Sequence, residues 1–286
     1  MNLLVLPVDG LACVVRALRR AKKSVRLTLF RCDLAEIEKA LAAAVARGVA
    51  VHALIAQNNH TGEKALRKLE LRLLEGGITV SRTADDLVRY HNKVLIIDQQ
   101  VLFVFGFNFT NEDLSKRRSM GIITRKRKLV AEAMNLFEAD ATRQAFTSTA
   151  PDLVISPVNA RARLEKLIRG AKKSLRIYDP QAIDGPMLRL LKKKAESGVD
   201  VRIIGKVGKL GAGLRVEVLP ELEVHLRAML RDDIELFIGS QGMRTIELDR
   251  RREVGIVLRD RTAIKRFRTV FDEDWSSTEA GAKEAA

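Results

Sequence analysis

Two short runs recur at one spacing, and that repeat constrains the fold more than any other feature of the chain. Ala21-Lys22-Lys23-Ser24 returns as Ala171-Lys172-Lys173-Ser174, and Gly48-Val49-x-Val51 returns as Gly198-Val199-x-Val201, both 150 residues on. The surroundings repeat too: Leu-Val near a proline, a basic helix, the AKKS run, a strand, a helix, then GV-x-V. Shared composition does not hold one offset over such a stretch, so the chain reads as an internal duplication with its boundary near residues 147–152. At 286 residues each half is long enough to bury its own core.

Strands alternate with helices in each half, which predicts an α/β architecture. Leu3 to Pro7, Ser24 to Phe30, Val49 to Ile55 and Ile78 to Arg82 read as strands. Leu11 to Ala21 has helical periodicity with a basic outer face. Asp33 is expected to cap a helix that Gly48 ends, and Thr61 to Leu74 reads as a charged helix stopped by Gly76-Gly77. Ser119 to Thr124 and a helix from about Lys128 to Ala145 close the first half.

The longest apolar tract, Leu41 to Ala56, is broken by Arg47, Gly48 and His52, so it reads as a helix end and a strand and not a membrane span. Cys13 and Cys32 have neither metal nor redox spacing, and no basic region precedes the first apolar stretch. A cytoplasmic protein, with at most a peripheral hold on membranes, is the expectation. The 51 Lys and Arg against 36 Asp and Glu leave a net charge of +15, a field that attracts nucleic acid or an anionic lipid surface. A basic surface kept for solubility is the plainer alternative.

The chemistry concentrates in Tyr90 to Asn108, YHNKVLIIDQQVLFVFGFN, which reads as two strands joined at Asp98-Gln99-Gln100. His91 and Lys93, two residues apart on a strand, would face the same way, and burying them in apolar surroundings costs desolvation unless they have a task. The duplication predicts a second copy, and Val224 to Gly242, VHLRAMLRDDIELFIGSQG, supplies it. His225, Arg227 and Asp232 keep the spacing of His91, Lys93 and Asp98, at an offset of 134 because the stretch between Ile55 and His91 is sixteen residues longer than its counterpart. Two of only four histidines occupy this one position, whereas His52 and His60 have no such pattern and read as structural or solvated.

A doubled His-x-Lys-x4-Asp motif followed by Asn resembles the signature of the phospholipase D superfamily. The resemblance extends over nearly the whole chain, including Arg252-Glu253-Val254-Gly255 and Phe271-x3-Trp275. It implies two pseudo-symmetric lobes, each a mixed β-sheet flanked by helices, with one active site at the lobe interface: residues 1–148, residues 149–275, and a flexible tail at 276–286. It implies a phosphodiesterase in which a neutral imidazole attacks phosphorus to form a phosphohistidine while the opposite histidine protonates the leaving oxygen. Lys93, Arg227, Asn108, Ser240 and Gln241 would hold phosphate oxygens, and Asp98 and Asp232 would fix the histidine tautomers. No metal or other cofactor is required.

The copies depart from that pattern unequally. The first has Phe105-Gly106-Phe107 before its Asn108; the second has Arg227 for lysine, which offers a fork in place of a point charge, and Gly242 for asparagine. His91 is therefore assigned as nucleophile and His225 as general acid/base, with the reverse assignment open. The expected substrate is a phospholipid whose phosphatidyl group is hydrolysed or transferred. A nuclease is the first alternative, and an impaired binder of nucleic acid or anionic lipid is the second. Lys116-Arg117-Arg118 and Arg250-Arg251-Arg252 each follow a motif closely enough to put charge at the mouth of the site. No obligate protein partner is implied.

Overall fold

The runs at 94–97 and 101–105 are apolar at every position because their sheet is buried on both faces. In the computed structural model, which describes residues 1–57 and 63–285, Val94 and Ile96 enter one core while Leu95 and Ile97 enter another. Leu102 and Val104 divide from Phe103 and Phe105 in the same way, as the two-residue period of a strand requires. His60 lies outside the described residues.

Each half forms an eight-stranded mixed sheet. In the first the path runs Asn2–Leu6, Arg117–Thr124, Val101–Phe105, Val94–Ile97, Ser24–Leu29, Ala50–Ile55, Thr79–Arg82. In the second it runs Arg215–Glu217, Asp200–Val207, Ser174–Ala182, Arg227–Arg231, Glu235–Gly239, Arg251–Leu258, with Leu153–Ser156 also on the last of these. The inner faces of both sheets and the helices Arg127–Thr142 and Arg261–Ser276 share a single core, so the lobes are fused over an apolar interface. Two further cores lie under the outer helices of each lobe.

The eighth strand of each sheet comes from the other half. Arg89–Tyr90 pairs with Arg251 and Arg252, and Glu223–Val224 pairs with Arg117 and Arg118. These are the residues immediately before His91 and His225, so each histidine sits where the chain crosses from one sheet to the other. The His91–Lys93 segment is thus a link between sheets and not the strand expected for it.

The repeated AKKS run and the Asp of each motif turn out to be partners. Asp98 and Gln99, like Asp232 and Asp233, have φ between 52° and 56°, the left-handed geometry of a tight two-residue hairpin. That turn aims the Asp98 carboxylate at the backbone N–H groups of Lys22, Lys23 and Ser24, at 3.0, 2.7 and 2.9 Å, and Asp232 receives Lys172, Lys173 and Ser174 at the same three distances.

Two expectations fail here. The helix after Asp33 begins at Ala35 without a side-chain cap, because Asp33 Oδ1 instead accepts from the backbone and side-chain amides of Asn111 at 2.9 and 3.3 Å. The described part of the tail, 276–285, is not free: Glu279–Ala285 is helical, Ala280 packs on the shared core, and Glu284 pairs with Arg202 and Arg215. No helix among the described residues is long and apolar enough to cross a membrane.

Candidate active site

The exchanged strands bring His91, Lys93, His225 and Arg227 together at the lobe boundary. The backbone repeats its symmetry there: His91 N–H donates to the Arg252 carbonyl at 2.8 Å, and His225 N–H donates to the Arg118 carbonyl at 3.1 Å. Lys93 Nζ donates to the His91 carbonyl at 2.6 Å, and Arg227 Nη1 to the His225 carbonyl at 3.0 Å. The charges of both cations act on both imidazoles, which makes this one electrostatic site.

Each ring rests on a carboxylate from the opposite lobe. His91 Nδ1 lies 3.0 and 3.1 Å from the Glu253 oxygens, and His225 Nδ1 lies 2.6 Å from Asp113 Oδ1. Glu253 and Asp113 side chains are fully buried, whereas the two imidazoles retain 11% and 18% exposure, so the rings form the accessible side of each pair. A carboxylate on Nδ1 keeps the proton there and leaves Nε2 with its lone pair. Lys93 Nζ stands 3.0 Å from that Nε2. Phe30 meets the His91 ring edge-on at 4.6 Å, with the Arg89 guanidinium over its face at 5.2 Å.

Burial sets the charge states. It drives His91 well below the usual imidazole value, reinforced by Lys93 and Arg227, so His91 is neutral at pH 7. Burial also brings Lys93 down to about 7, against the pull of Glu253. His225 is lowered by burial, opposed by Asp113. Burial pushes Glu253 up, against Lys93. Asp113 is held well below the carboxylate range, since the His225 contact and the Asn108 and Thr110 donors outweigh its burial.

The half-sites differ behind the histidines. In the first, the Asn108 backbone and side-chain N–H groups and the Thr110 hydroxyl all converge on Asp113 Oδ2, at 3.0, 3.3 and 2.9 Å. In the second, Gly242 N–H binds Glu247 at 2.8 Å, and Glu247 also takes Arg227 at 3.2 Å. A Cβ at 242 would meet the Asp179 carboxylate at 2.8 Å and Arg227 Cγ at 3.1 Å. Asp179 therefore takes the space a side chain at 242 needs. It is fixed by the N–H groups of Met243 and Gln181, and burial raises it to about 6.

Several expected site residues lie elsewhere. Asp98 and Asp232 do not touch the histidines; the strands after Lys93 and Arg227 carry them to the far end of each sheet, roughly 16 Å along the strand at 3.3 Å per residue. Gln241 is buried with its amide on the Val154 carbonyl at 3.0 Å, and the Ser240 hydroxyl is engaged with both backbone groups of Val254, so neither is free to meet a substrate. Arg118 and Arg252 leave the mouth to pair with Asp274 and Asp140, and Arg117 and Arg251 are drawn to Asp113 and Glu247 behind the rings. His52 is structural, 2.8 Å from the Ser81 hydroxyl and edge-on to Phe137.

The carboxylates that hold the rings were missed, although one signal existed. Asp113 and Glu247 are 134 residues apart, the same offset as the two motifs, five residues after Asn108 and Gly242. Glu253 has no such echo, since Ser119 stands at its counterpart.

Comparison with known proteins bears on the family and the fold. The family described as "Cardiolipin synthase, PLD-like domain" matches residues 14–141 and 164–275. A cardiolipin synthase of Clostridium perfringens (strain 13 / Type A) is 26% identical over 203 residues, covering 54% of this chain and 43% of the relative. The chain spans less than half the length of the curated relatives it matches. Among solved structures, phosphatidylserine synthase of Haemophilus influenzae Rd KW20 superposes with a TM-score of 0.70 at 14% identity, over 94% of this chain and 85% of that one. Polyphosphate kinase of Porphyromonas gingivalis gives 0.78 at 20% identity, over 95% of this chain and 49% of that one. At those identities the two structures speak for the fold alone.

Proposed function

The chain belongs to the phospholipase D superfamily, in its cardiolipin synthase-type PLD-like family, and on that premise we propose a phosphodiesterase that works through a phosphohistidine on His91. The observation that carries it is the pair of cross-lobe contacts, His91 on Glu253 and His225 on Asp113, which hold Nδ1 of each ring and turn Nε2 away from the carboxylates. Lys93 Nζ, 3.0 Å from His91 Nε2, passes to the phosphoryl group as substrate enters. His91 Nε2 attacks phosphorus, and protonated His225 gives its proton to the departing oxygen as the P–O bond breaks. His225 then takes a proton from water or an alcohol, whose oxygen displaces His91 and completes hydrolysis or transfer. Lys93 and Arg227 screen the phosphoryl oxygens as charge builds, so the residues themselves supply what a metal would, while the Asn108 amide is engaged with Asp113.

We assign the phosphatidyl group of a phospholipid as substrate, following the naming of the relatives. A cavity of about 330 Å³ beside Asn108 supports this, since Phe30, Leu66 and Leu69 give it an apolar wall and Arg31 a cation. The test is turnover of bis-p-nitrophenyl phosphate in EDTA by wild type, His91→Ala and His225→Ala, with phosphatidylglycerol and plasmid DNA as competing natural substrates. Loss of activity in His91→Ala, and a phosphoenzyme that accumulates in His225→Ala and is labile in acid, are expected. Unimpaired turnover by His91→Ala refutes the assignment. Cleavage of DNA alone makes the protein a nuclease, and salt-dependent binding without turnover makes it a binder.

A further inference from the structure

The duplication provides each lobe with a cavity at the sheet end remote from the histidines, and the two have diverged in chemistry. In the C-terminal lobe the cavity, about 410 Å³, is lined by Lys166, Leu167, Arg231, Glu235, Val257 and Arg259. Most of its charges are paired: Glu235 binds Arg231 at 2.9 Å and Arg259, and Arg231 also donates to the Gly170 carbonyl at 3.0 Å. Arg163 and Arg169 on its rim pair with Asp152 and Glu165, which leaves Lys166 without a carboxylate partner among the described residues. The N-terminal counterpart, about 640 Å³, has Arg16 and Ala17 where Lys166 and Leu167 stand, and Arg125 where Arg259 stands. Ile97 and Val101 replace the Arg231–Glu235 pair, so the floor is apolar, continued by Phe103 and Ile123.

The consequence is a rim of five cations, Arg16, Arg20, Lys22, Lys23 and Arg125, with none of the five side chains paired to a carboxylate among the described residues. Asp98 is the single acid in the lining, and its oxygens are already bound to three backbone N–H groups. Stability does not ask for five unpaired cations here, because the other lobe builds the same cavity with every lining cation but Lys166 paired to a carboxylate.

We propose that this N-terminal cavity binds a phosphate-bearing anion, with the phosphate on the cationic rim and any apolar body against Ile97, Val101 and Ile123. Such a group is dianionic or nearly so and accepts several charge-assisted hydrogen bonds at once. The site is separate from the reacting centre, since the whole length of the strand Val94–Ile97 lies between Lys93 and the cavity. It is independent of the catalytic reading and is tested without turnover.

The test compares wild type with Arg16→Glu/Arg125→Glu and with Lys166→Glu/Arg169→Glu, which makes the same change in net charge on the other lobe. Inorganic pyrophosphate is titrated calorimetrically, and co-sedimentation uses phosphatidylcholine vesicles with and without phosphatidic acid. The first variant loses at least about tenfold in affinity and the second stays within about twofold. Saturable pyrophosphate binding lost in the first variant identifies a free phosphate ligand, and binding confined to phosphatidic acid vesicles identifies a lipid headgroup. Wild type that binds neither probe, or equal loss in both variants, overturns the proposal.

Discussion

Glu253→Gln isolates what the cross-lobe carboxylate does for His91. The substitution keeps the shape and leaves an oxygen able to accept from Nδ1–H, but it removes the charge 3.0 Å from the ring. A hydrogen bond to a charged partner is worth about 1.5–3 kcal/mol, which corresponds to roughly 10- to 150-fold in kcat/KM if it is expressed as the imidazole becomes phosphorylated and positive. A second signature follows from Lys93, brought to about 7 by burial while Glu253 pulls it back up. Without Glu253 the lysine loses its proton at lower pH. Activity falls on the alkaline side as His225, lowered by burial, and then Lys93, near 7, lose their protons, and the Lys93 step moves down in the variant. The measurement is the pH dependence of kcat/KM on bis-p-nitrophenyl phosphate, with Ser119→Ala, at the counterpart position, as the control expected to stay near wild type. A Glu253→Gln enzyme within about twofold of wild type, or an alkaline limb displaced upward, would refute the role given to this contact.

Asp98→Ala and Asp232→Ala are expected to lower stability by about 1–2 kcal/mol each, as loss of a backbone cap does, while kcat per folded molecule is retained; thermal unfolding with active-site titration separates the two. Backbone donors outweigh burial and hold both carboxyls below their usual 3.8, so this contribution is present above the unfolded value and lost as pH falls through the folded one. Gly242→Asn is expected to destabilise the fold by about 1–3 kcal/mol through its collision with Asp179, and adding Asp179→Ala, which removes the carboxylate from that space, should restore part of the loss. Additive losses in that double-mutant cycle would mean that Asp179 does not occupy the side chain's space.

The duplication and the doubly buried strands were legible because they leave periodic marks that do not depend on the rest of the molecule. Val94 to Ile97 must be a strand between two cores, and an Asp98-Gln99 pair between such strands invites a left-handed turn. What could not be read was adjacency in space. His91, Lys93 and Asp98 are neighbours in the chain, yet a four-residue strand separates the last from the first two by the height of the sheet. Asp113 and Glu253, remote in sequence, arrive at the rings because Arg89–Tyr90 and Glu223–Val224 are exchanged between lobes. Those two-residue pairings carry too little local signal to be foreseen, and Asp33 was taken from its expected cap by Asn111 for the same tertiary reason.

The exchange also explains how the halves could diverge without separating. Each histidine's support comes from the other lobe, so a change in one half is felt by the ring of the opposite half. With Ser119 where the pattern of the second lobe has Glu253, His225 relies on Asp113, which Asn108 and Thr110 also hold. With Asp179 in the space beside Gly242, Arg227 faces Glu247 and Asp179 and gains no asparagine partner, so its charge is largely answered by the protein itself. Lys93 has no carboxylate within ion-pair distance among the described residues; Glu253, Asp113 and Glu247 act on it from further off, and it stays near its titration point of about 7. On the proposed mechanism the phosphate grip would fall mainly to the first half-site and proton transfer to the second. That division follows from the partners of Lys93 and Arg227 and not from the motif spacing, which is the same in both.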